Sequence, residues 1–477
     1  MRRIQRGRYH ASLVRVATHA PTSPHHLLPL KTFPAGFLWG AATSAYQIEG
    51  SPLADGAGPS IWHRFAHTPG RMYGGATGDV ACDHYRRWES DVELMGALEL
   101  RAYRFSLSWS RMLPDGRGRV NATGVDFYSR LIDRLLERGI TPNVTLYHWD
   151  LPAALDDQGG WLSPDAPAWF ADYAEVAFRA LGDRVPMWAT LNEPWVCVDA
   201  GYLHGSHAPG HASVREAPTA ARHLLLAHAA AVERHRAMGE RSAIGVVLNL
   251  EPKDAASDDP RDVAATRRAH AYFNEQYGDP IFLGSSPPEL AEIFGADWRP
   301  WTDAELARVH QPVDFLGINY YTRALTRHAP EWPPVGDARV VPEGAVRMTT
   351  GWELYPPGLE RTLLWARQRW GDVPLYVTES GGAFADPAPV NGRIDDPLRI
   401  EAHRVNLLGC LAAIERGVDL RGYFAWSLLD NLEWSSGFSQ RFGLVSVDFE
   451  TQARTIKASG EFYRDLIRTN GAALEPR

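Results

Sequence analysis

Three cysteines in 477 residues, Cys82, Cys197 and Cys410, are too few and too scattered for a disulfide framework. No Cys-x-x-Cys pair offers half a zinc site, and no metal is expected. The three read as small buried hydrophobes in a reducing compartment. Lysine is nearly absent: Lys31, Lys253 and Lys457 stand alone, and the rest of the 49 basic residues are arginine. Coding bias explains this better than a phosphate-binding surface does. Positive charge is not in excess either. A net charge of −8 and a pI near 6.1 leave no electrostatic footprint for nucleic acid or an anionic membrane. With 45% hydrophobic and 22% charged residues, the chain is neither disordered nor a multi-span membrane protein.

Residues 1–32 stand apart. Arg2, Arg3, Arg6, Arg8 and Arg15 occur there without any Asp or Glu. A secretory signal needs an apolar run of about 7–15 residues, and Arg15 interrupts the one candidate, Ala11-Ser12-Leu13-Val14. A flexible tail and a cytoplasmic protein are expected, with the Arg2-Arg3 pair leaving an export signal as the alternative. From 33 to 477 no linker-like shift or fixed-period repeat appears, so one domain is expected.

Aromatic residues are what the chain has in plenty: 17 each of Trp, Tyr and Phe. Flat rings suit the apolar faces of sugars, although composition alone only suggests this. Eight short apolar runs, at 37–42, 102–106, 141–147, 187–191, 243–248, 313–318, 375–378 and 422–426, alternate with amphipathic stretches such as 125–138, 168–181, 222–238 and 399–416. Eight strand–helix alternations in one domain predict an α/β fold, a (β/α)8 TIM barrel. Residues 50–100 and 320–350 would be enlarged loops. Polar or aromatic residues follow the strands: Tyr46-Gln47, Arg104, His148-Trp149, Asn192-Glu193, Asn319-Tyr320-Tyr321, Glu379 and Trp426. In such a barrel these ends share one rim, where active sites are built.

Two of those residues carry the chemistry. Glu193 ends a buried run and is followed by Pro194; Glu379 precedes Ser380-Gly381-Gly382, where glycine allows a sharp turn. An isolated glutamate is usually structural. Two on one rim suit glycoside hydrolysis, in which one carboxyl protonates the leaving oxygen and the other attacks the sugar or activates water.

Thr190-Leu191-Asn192-Glu193-Pro194 and Val377-Thr378-Glu379-Ser380-Gly381 resemble the acid/base and nucleophile signatures of family 1 glycoside hydrolases, the retaining β-glucosidase family. Supporting segments include 37–50, Tyr103-Arg104-Phe105-Ser106, Tyr147-His148-Trp149-Asp150-Leu151-Pro152, Gly317-Ile318-Asn319-Tyr320-Tyr321 and Arg441-Phe442-Gly443-Leu444-Val445, so the likeness runs over roughly 33–470. The resemblance implies cofactor-free double displacement, with Glu379 as nucleophile and Glu193 as acid/base, their carboxyls about 5–5.5 Å apart. Arg104 and Tyr321 would orient Glu379. Gln47, His148, Trp149, Asn192, Asn319, Glu433, Trp434 and Phe442 would surround the sugar, Trp426 would be its floor, and Trp352 an aglycone platform. His148 read alone suits a core histidine as well, and Trp39 and Trp88 suit the core. Glu433 would accept from the 4- and 6-hydroxyls, favouring free glycosides over 6-phosphoglycosides.

Small β-glycosides are the expected partner, attacked from the non-reducing end, with β-galactosidase, β-fucosidase or β-xylosidase side activity. A transglycosidase would share every catalytic residue, whereas a non-catalytic sugar binder would have lost one carboxylate. A thioglucosidase-like variant would carry glutamine where Glu193 stands. Oligomeric state is left open. Three positions depart from the family pattern: Ser380 for the usual asparagine, Ser446 for an aromatic, and Asp199 for a hydrophobic residue near the aglycone entrance. Asp199 would favour polar or cationic aglycones, or simply be a solvated loop acid.

Overall fold

The computed structural model describes residues 32–474; the tail expected at 1–32 lies outside them apart from Thr32. Eight parallel strands form a closed barrel: β1 Leu38–Ala42, β2 Ala102–Ser106, β3 Thr141–Tyr147, β4 Met187–Asn192, β5 Ala243–Asn249, β6 Phe315–Tyr320, β7 Leu375–Ser380 and β8 Leu420–Trp426. Each pairs with the next, and β8 closes on β1 with Leu38 opposite Gly422. The expected fold class is the observed one.

Alternation along the strands divides the packing in two. In β2, Tyr103 and Phe105 join the main apolar cluster beneath the helices, while Ala102 and Arg104 face the lumen. The helix Ala122–Glu137 closes over that cluster because Phe127, Tyr128, Leu131, Ile132 and Leu135 recur at three- and four-residue spacing. The lumen is filled by a smaller set, including Met187, Ala189, Val247 and Phe315, and beside it Phe424. Space for these rings comes from glycine: a Cβ on Gly40 would sit 2.4 Å from Phe424. The barrel is therefore plugged below its upper rim.

Two expectations change. The strand ends of β4, β5, β6 and β7 run on to Asn192, Asn249, Tyr320 and Ser380, beyond the apolar runs, because the top of the lumen is lined with polar groups that pair with one another. The stretch 50–100 is only partly loop, since His84–Ala97 is the helix between β1 and β2. The segment 320–350 is enlarged as expected and contributes Ala324–His328 and Asp337–Val340 to a three-stranded sheet with Lys253–Ala255. No described helix is long and apolar enough to cross a membrane.

Candidate active site

Glu193 and Glu379 reach the lumen through local breaks in strand register. In β4 the pairing with β5 shifts between Ala189 and Asn192, and in β7 the pairing with β6 shifts between Val377 and Glu379. Val377 packs outward in the main cluster, so strict alternation would turn Glu379 outward too. The irregularity re-aims it, as bulges beside active sites do. Glu193 also takes a left-handed backbone, φ 46°, as do the pocket residues Trp149, φ 80°, and Trp434, φ 48°. Each such conformation costs about 1–3 kcal/mol in a non-glycine residue, and the surrounding packing supplies it. The Trp426–Ser427 peptide is cis.

The Arg104 guanidinium, fully buried, donates from Nη1 to Glu379 Oε1 at 2.6 Å and from Nη2 to Asn192 Oδ1 at 2.7 Å. Tyr321 donates its hydroxyl to Glu379 Oε2 at 2.7 Å, so both carboxylate oxygens are held. The Asn319 amide donates to Glu193 Oε1 at 2.7 Å and to Asn192 Oδ1 at 3.0 Å, and its own oxygen accepts from Thr378 at 2.7 Å. Asn192 Nδ2 donates to His148 Nε2 at 3.1 Å, and Trp149 Nε1 donates to the Asn192 carbonyl at 2.8 Å. An amide nitrogen can only donate, so His148 Nε2 accepts and the ring is neutral. Burial and the nearby Arg104 charge hold its pKa well below the usual histidine value.

The two carboxyls are electrostatically unlike. Desolvation, then the charge of Glu379, pushes Glu193 up to about 8. Desolvation raises Glu379 as well, but Arg104, Tyr321 and Asn319 all favour its ionised form. The physical expectation is one proton shared unequally: Glu379 ionises first and Glu193 keeps its proton near neutrality. Such a pair is an acid beside a nucleophile.

Around them lies a cavity of about 400 Å³ walled by His148, Trp149, Glu193, Tyr321, Trp352, Glu379, Trp426, Glu433, Trp434 and Phe442. Gln47, Arg104, Asn192 and Asn319 complete the network through hydrogen bonds to or between these walls. Gln47 sits on the short helix Ala45–Ile48; its Nε2 donates to Leu432 O at 2.9 Å and Asn431 Oδ1 at 3.0 Å, with Glu433 Oε2 at 3.4 Å. It therefore braces the Glu433 loop. Desolvation and the Glu379 charge push the Glu433 carboxyl up to about 8.

Sequence reasoning missed several wall residues: Trp195, Val196, His207, Thr349, Thr350, Ser436 and Gln440. Trp195 and Val196 lie on the short helix Pro194–Val198 that follows Glu193, and the others in loops or turns whose approach to the rim no strand pattern announces. It also missed Trp62, whose ring lies 4.6 Å from Trp434 and backs it. Trp39 and Trp88 are buried in the main cluster. Of the three departures, Ser380 accepts from Asn406 Nδ2 at 2.9 Å, away from the carboxylates. Ser446 sits on the short strand Val445–Val447 and is not a wall residue. Asp199 accepts from the Tyr272 hydroxyl at 3.0 Å in a neighbouring cavity that shares Trp195 with this one.

The whole layout has known counterparts. The model of glycosyl hydrolase family 1 matches residues 30–472. A β-glucosidase A of Thermotoga maritima is 46% identical over 445 residues, 93% of this chain and 99% of its own. A bifunctional β-D-glucosidase/β-D-fucosidase of Bifidobacterium breve is 41% identical, covering 92% of this chain and 99% of its own. The solved β-glucosidase of Thermotoga maritima in complex with castanospermine superposes with a TM-score of 0.90 at 45% identity, over 93% of this chain and 99% of that one. A barrel with two carboxyls tuned apart, matched by the family model over residues 30–472 and by these relatives over more than nine-tenths of the chain, places it in glycosyl hydrolase family 1.

Proposed function

We propose that the protein is a retaining, exo-acting β-glucosidase. The observation that carries this reading is the division of labour at the carboxyls: Glu379 clamped by Arg104 and Tyr321, and Glu193 held protonated by its surroundings. In the first step a Glu379 oxygen bonds to the anomeric carbon while the bond to the aglycone oxygen breaks. Glu193 gives its proton to that oxygen. Esterification removes the Glu379 charge, so the Glu193 pKa falls and the carboxylate left by proton donation stays ionised, ready to act as base. It takes a proton from water, whose oxygen attacks the anomeric carbon and frees Glu379.

Exo-action follows from the plugged lumen, which leaves a blind pocket with Trp426 as floor and Trp434 as wall. Unphosphorylated sugars are favoured because no arginine or lysine lines the cavity, and His148 and His207 are kept neutral by burial. A 6-phosphate would find Glu433 and no counter-charge. Side activity on β-galactosides and β-fucosides is supported by the bifunctional relative, and Glu433 would meet the 4- and 6-hydroxyls at which these sugars differ. A cytoplasmic location is supported by three free, buried cysteines; activity recovered only outside the cells would overturn it. The central test is side-by-side hydrolysis of aryl β-glucoside, β-galactoside, β-fucoside and 6-phospho-β-glucoside, with Glu379→Gln protein as blank and the product anomer read by NMR. Turnover of the free sugars with retention is expected. Inverted product would refute the mechanism, and turnover of the phosphorylated substrate alone would refute the role given to Glu433.

A further inference from the structure

On the outer side of the sugar pocket, the short helix Ile61–Ala66 and its C-terminal residue carry His63 and His67, one turn apart on one face. Their rings lie 4.3 Å apart. Opposite them is Asp79, with one carboxylate oxygen 3.8 Å from His63 Nδ1 and the other 3.1 Å from His67 Nε2. One donor atom from each residue falls within 4.8 Å of the other two. Among the described residues no arginine or lysine pairs with Asp79.

Two further details are those of a ligand set. His63 Nδ1 is shut off from solvent and has no hydrogen-bond partner among the described residues, although it points toward Asp79. His67 Nδ1 lies 2.7 Å from the His63 carbonyl, which can only accept. That contact fixes a proton on Nδ1, so Nε2, the nitrogen that faces Asp79, is the atom that would give up any proton and ligate. Metal-bound histidines are oriented in this way, by a carbonyl on the far nitrogen.

We propose that His63, His67 and Asp79 form a binding site for a borderline divalent cation such as Zn²⁺. Tetrahedral Zn²⁺ with bonds of about 2.0–2.2 Å holds its donors roughly 3.3–3.6 Å apart, a range that lies between the two observed contacts to Asp79, so the longer need only close and the shorter open slightly. Two imidazoles and one carboxylate select Zn²⁺, Co²⁺, Ni²⁺ or Cu²⁺ over Mg²⁺ and Ca²⁺, and water completes the coordination. The site has a structural consequence. The same helix carries Trp62, which backs the sugar-pocket wall Trp434, while Asp79 follows Gly78, packed against Tyr46. A bound ion joins these two supports and stabilises the folded chain by mass action.

The test is Zn²⁺ titration of the whole protein by calorimetry, with thermal unfolding and Co²⁺ absorption in parallel. Expected are saturable Zn²⁺ binding, a Zn²⁺-dependent rise in Tm, and the visible bands of tetrahedral Co²⁺. His67→Ala and Asp79→Asn each weaken binding about tenfold or more, abolish the Tm rise, and leave metal-free hydrolysis unchanged. His10, His19, His25 and His26 also occur in the chain, so the variants and not stoichiometry assign the site. Equal affinity in wild type and both variants would place the metal elsewhere and overturn the proposal. So would the absence of saturable Zn²⁺ binding to the folded wild type.

Discussion

The two ends of the catalytic cavity are built differently. At the sugar end Arg104, His148, Asn192, Asn319, Glu193 and Glu379 are all buried and each is tied to another member by a hydrogen bond, while buried Gln47 is tied to the Glu433 loop. At the aglycone end Thr349 is exposed, and Trp195, Trp352 and Gln440 are only half-buried; the side-chain ties there are short-range ones between exposed or half-buried groups, such as Thr349 to Gln440 at 2.5 Å. Preorganised dipoles stabilise developing charge without reorganising during the reaction. A loosely tied rim tolerates varied leaving groups but discriminates among them weakly. Changes at the sugar end should therefore act on every substrate, and changes at the rim only on some.

The largest expected loss follows removal of the nucleophile. Glu379→Gln should lower kcat/KM by about 10⁴-fold or more on all substrates. Glu193→Ala should cost about 10²–10⁴-fold where the leaving group needs a proton, and much less with an activated aryl glycoside. A steady-state series over phenol acidity separates the two; equal losses across that series in Glu193→Ala would remove its role as acid. The same pair sets the pH dependence. Activity needs Glu193 protonated, so kcat/KM should fall as pH rises through about 8 and fall at low pH as Glu379 takes up a proton. In Glu379→Gln the neighbouring charge is gone, and the Glu193 titration, followed by carboxyl NMR, should move down. It should stay above the ordinary 4.5, because desolvation is the larger cause.

Much of this was legible in the residues. All eight strands could be placed because parallel barrel strands are apolar toward the helices, and polar residues after the runs marked the rim. The register shifts in β4 and β7 were not legible. They depend on pairing between strands remote in sequence, and they decide that Glu379 faces inward. The bracing function of Gln47 was hidden for a similar reason: its partners Asn431, Leu432 and Glu433 lie 384 residues or more away in the chain. Trp62 and Trp195 gave no signal, since one tryptophan among 17 on a short helix reads equally well as core.

An intermediate effect is expected at Glu433. Glu433→Gln disturbs two hydrogen bonds worth together about 1–3 kcal/mol, or roughly 5–150-fold in kcat/KM on a β-glucoside. A β-fucoside lacks the 6-hydroxyl, so its loss should be smaller, and the variant's fucoside-to-glucoside ratio should rise. An unchanged ratio would mean that Glu433 does not reach the 6-hydroxyl.

The smallest effect tests whether the two ends are independent. Trp352 lies 5.5 Å, ring to ring, from Tyr321, which in turn holds Glu379. As an aglycone platform only, Trp352→Ala should raise KM about 2–10-fold for aryl glycosides and leave alkyl glycosides nearly untouched, with kcat unchanged for both. Were Trp352 also needed to seat Tyr321, kcat would drop for every aglycone, and the acid limb of the pH profile would shift upward as Glu379 lost a donor to its ionised form. That second pattern would join the rim to the sugar end and break the division between them. A Tyr321→Phe, Trp352→Ala double variant distinguishes the cases: additive losses keep the ends separate, and a double variant no slower than Tyr321→Phe alone makes Trp352 act through the tyrosine.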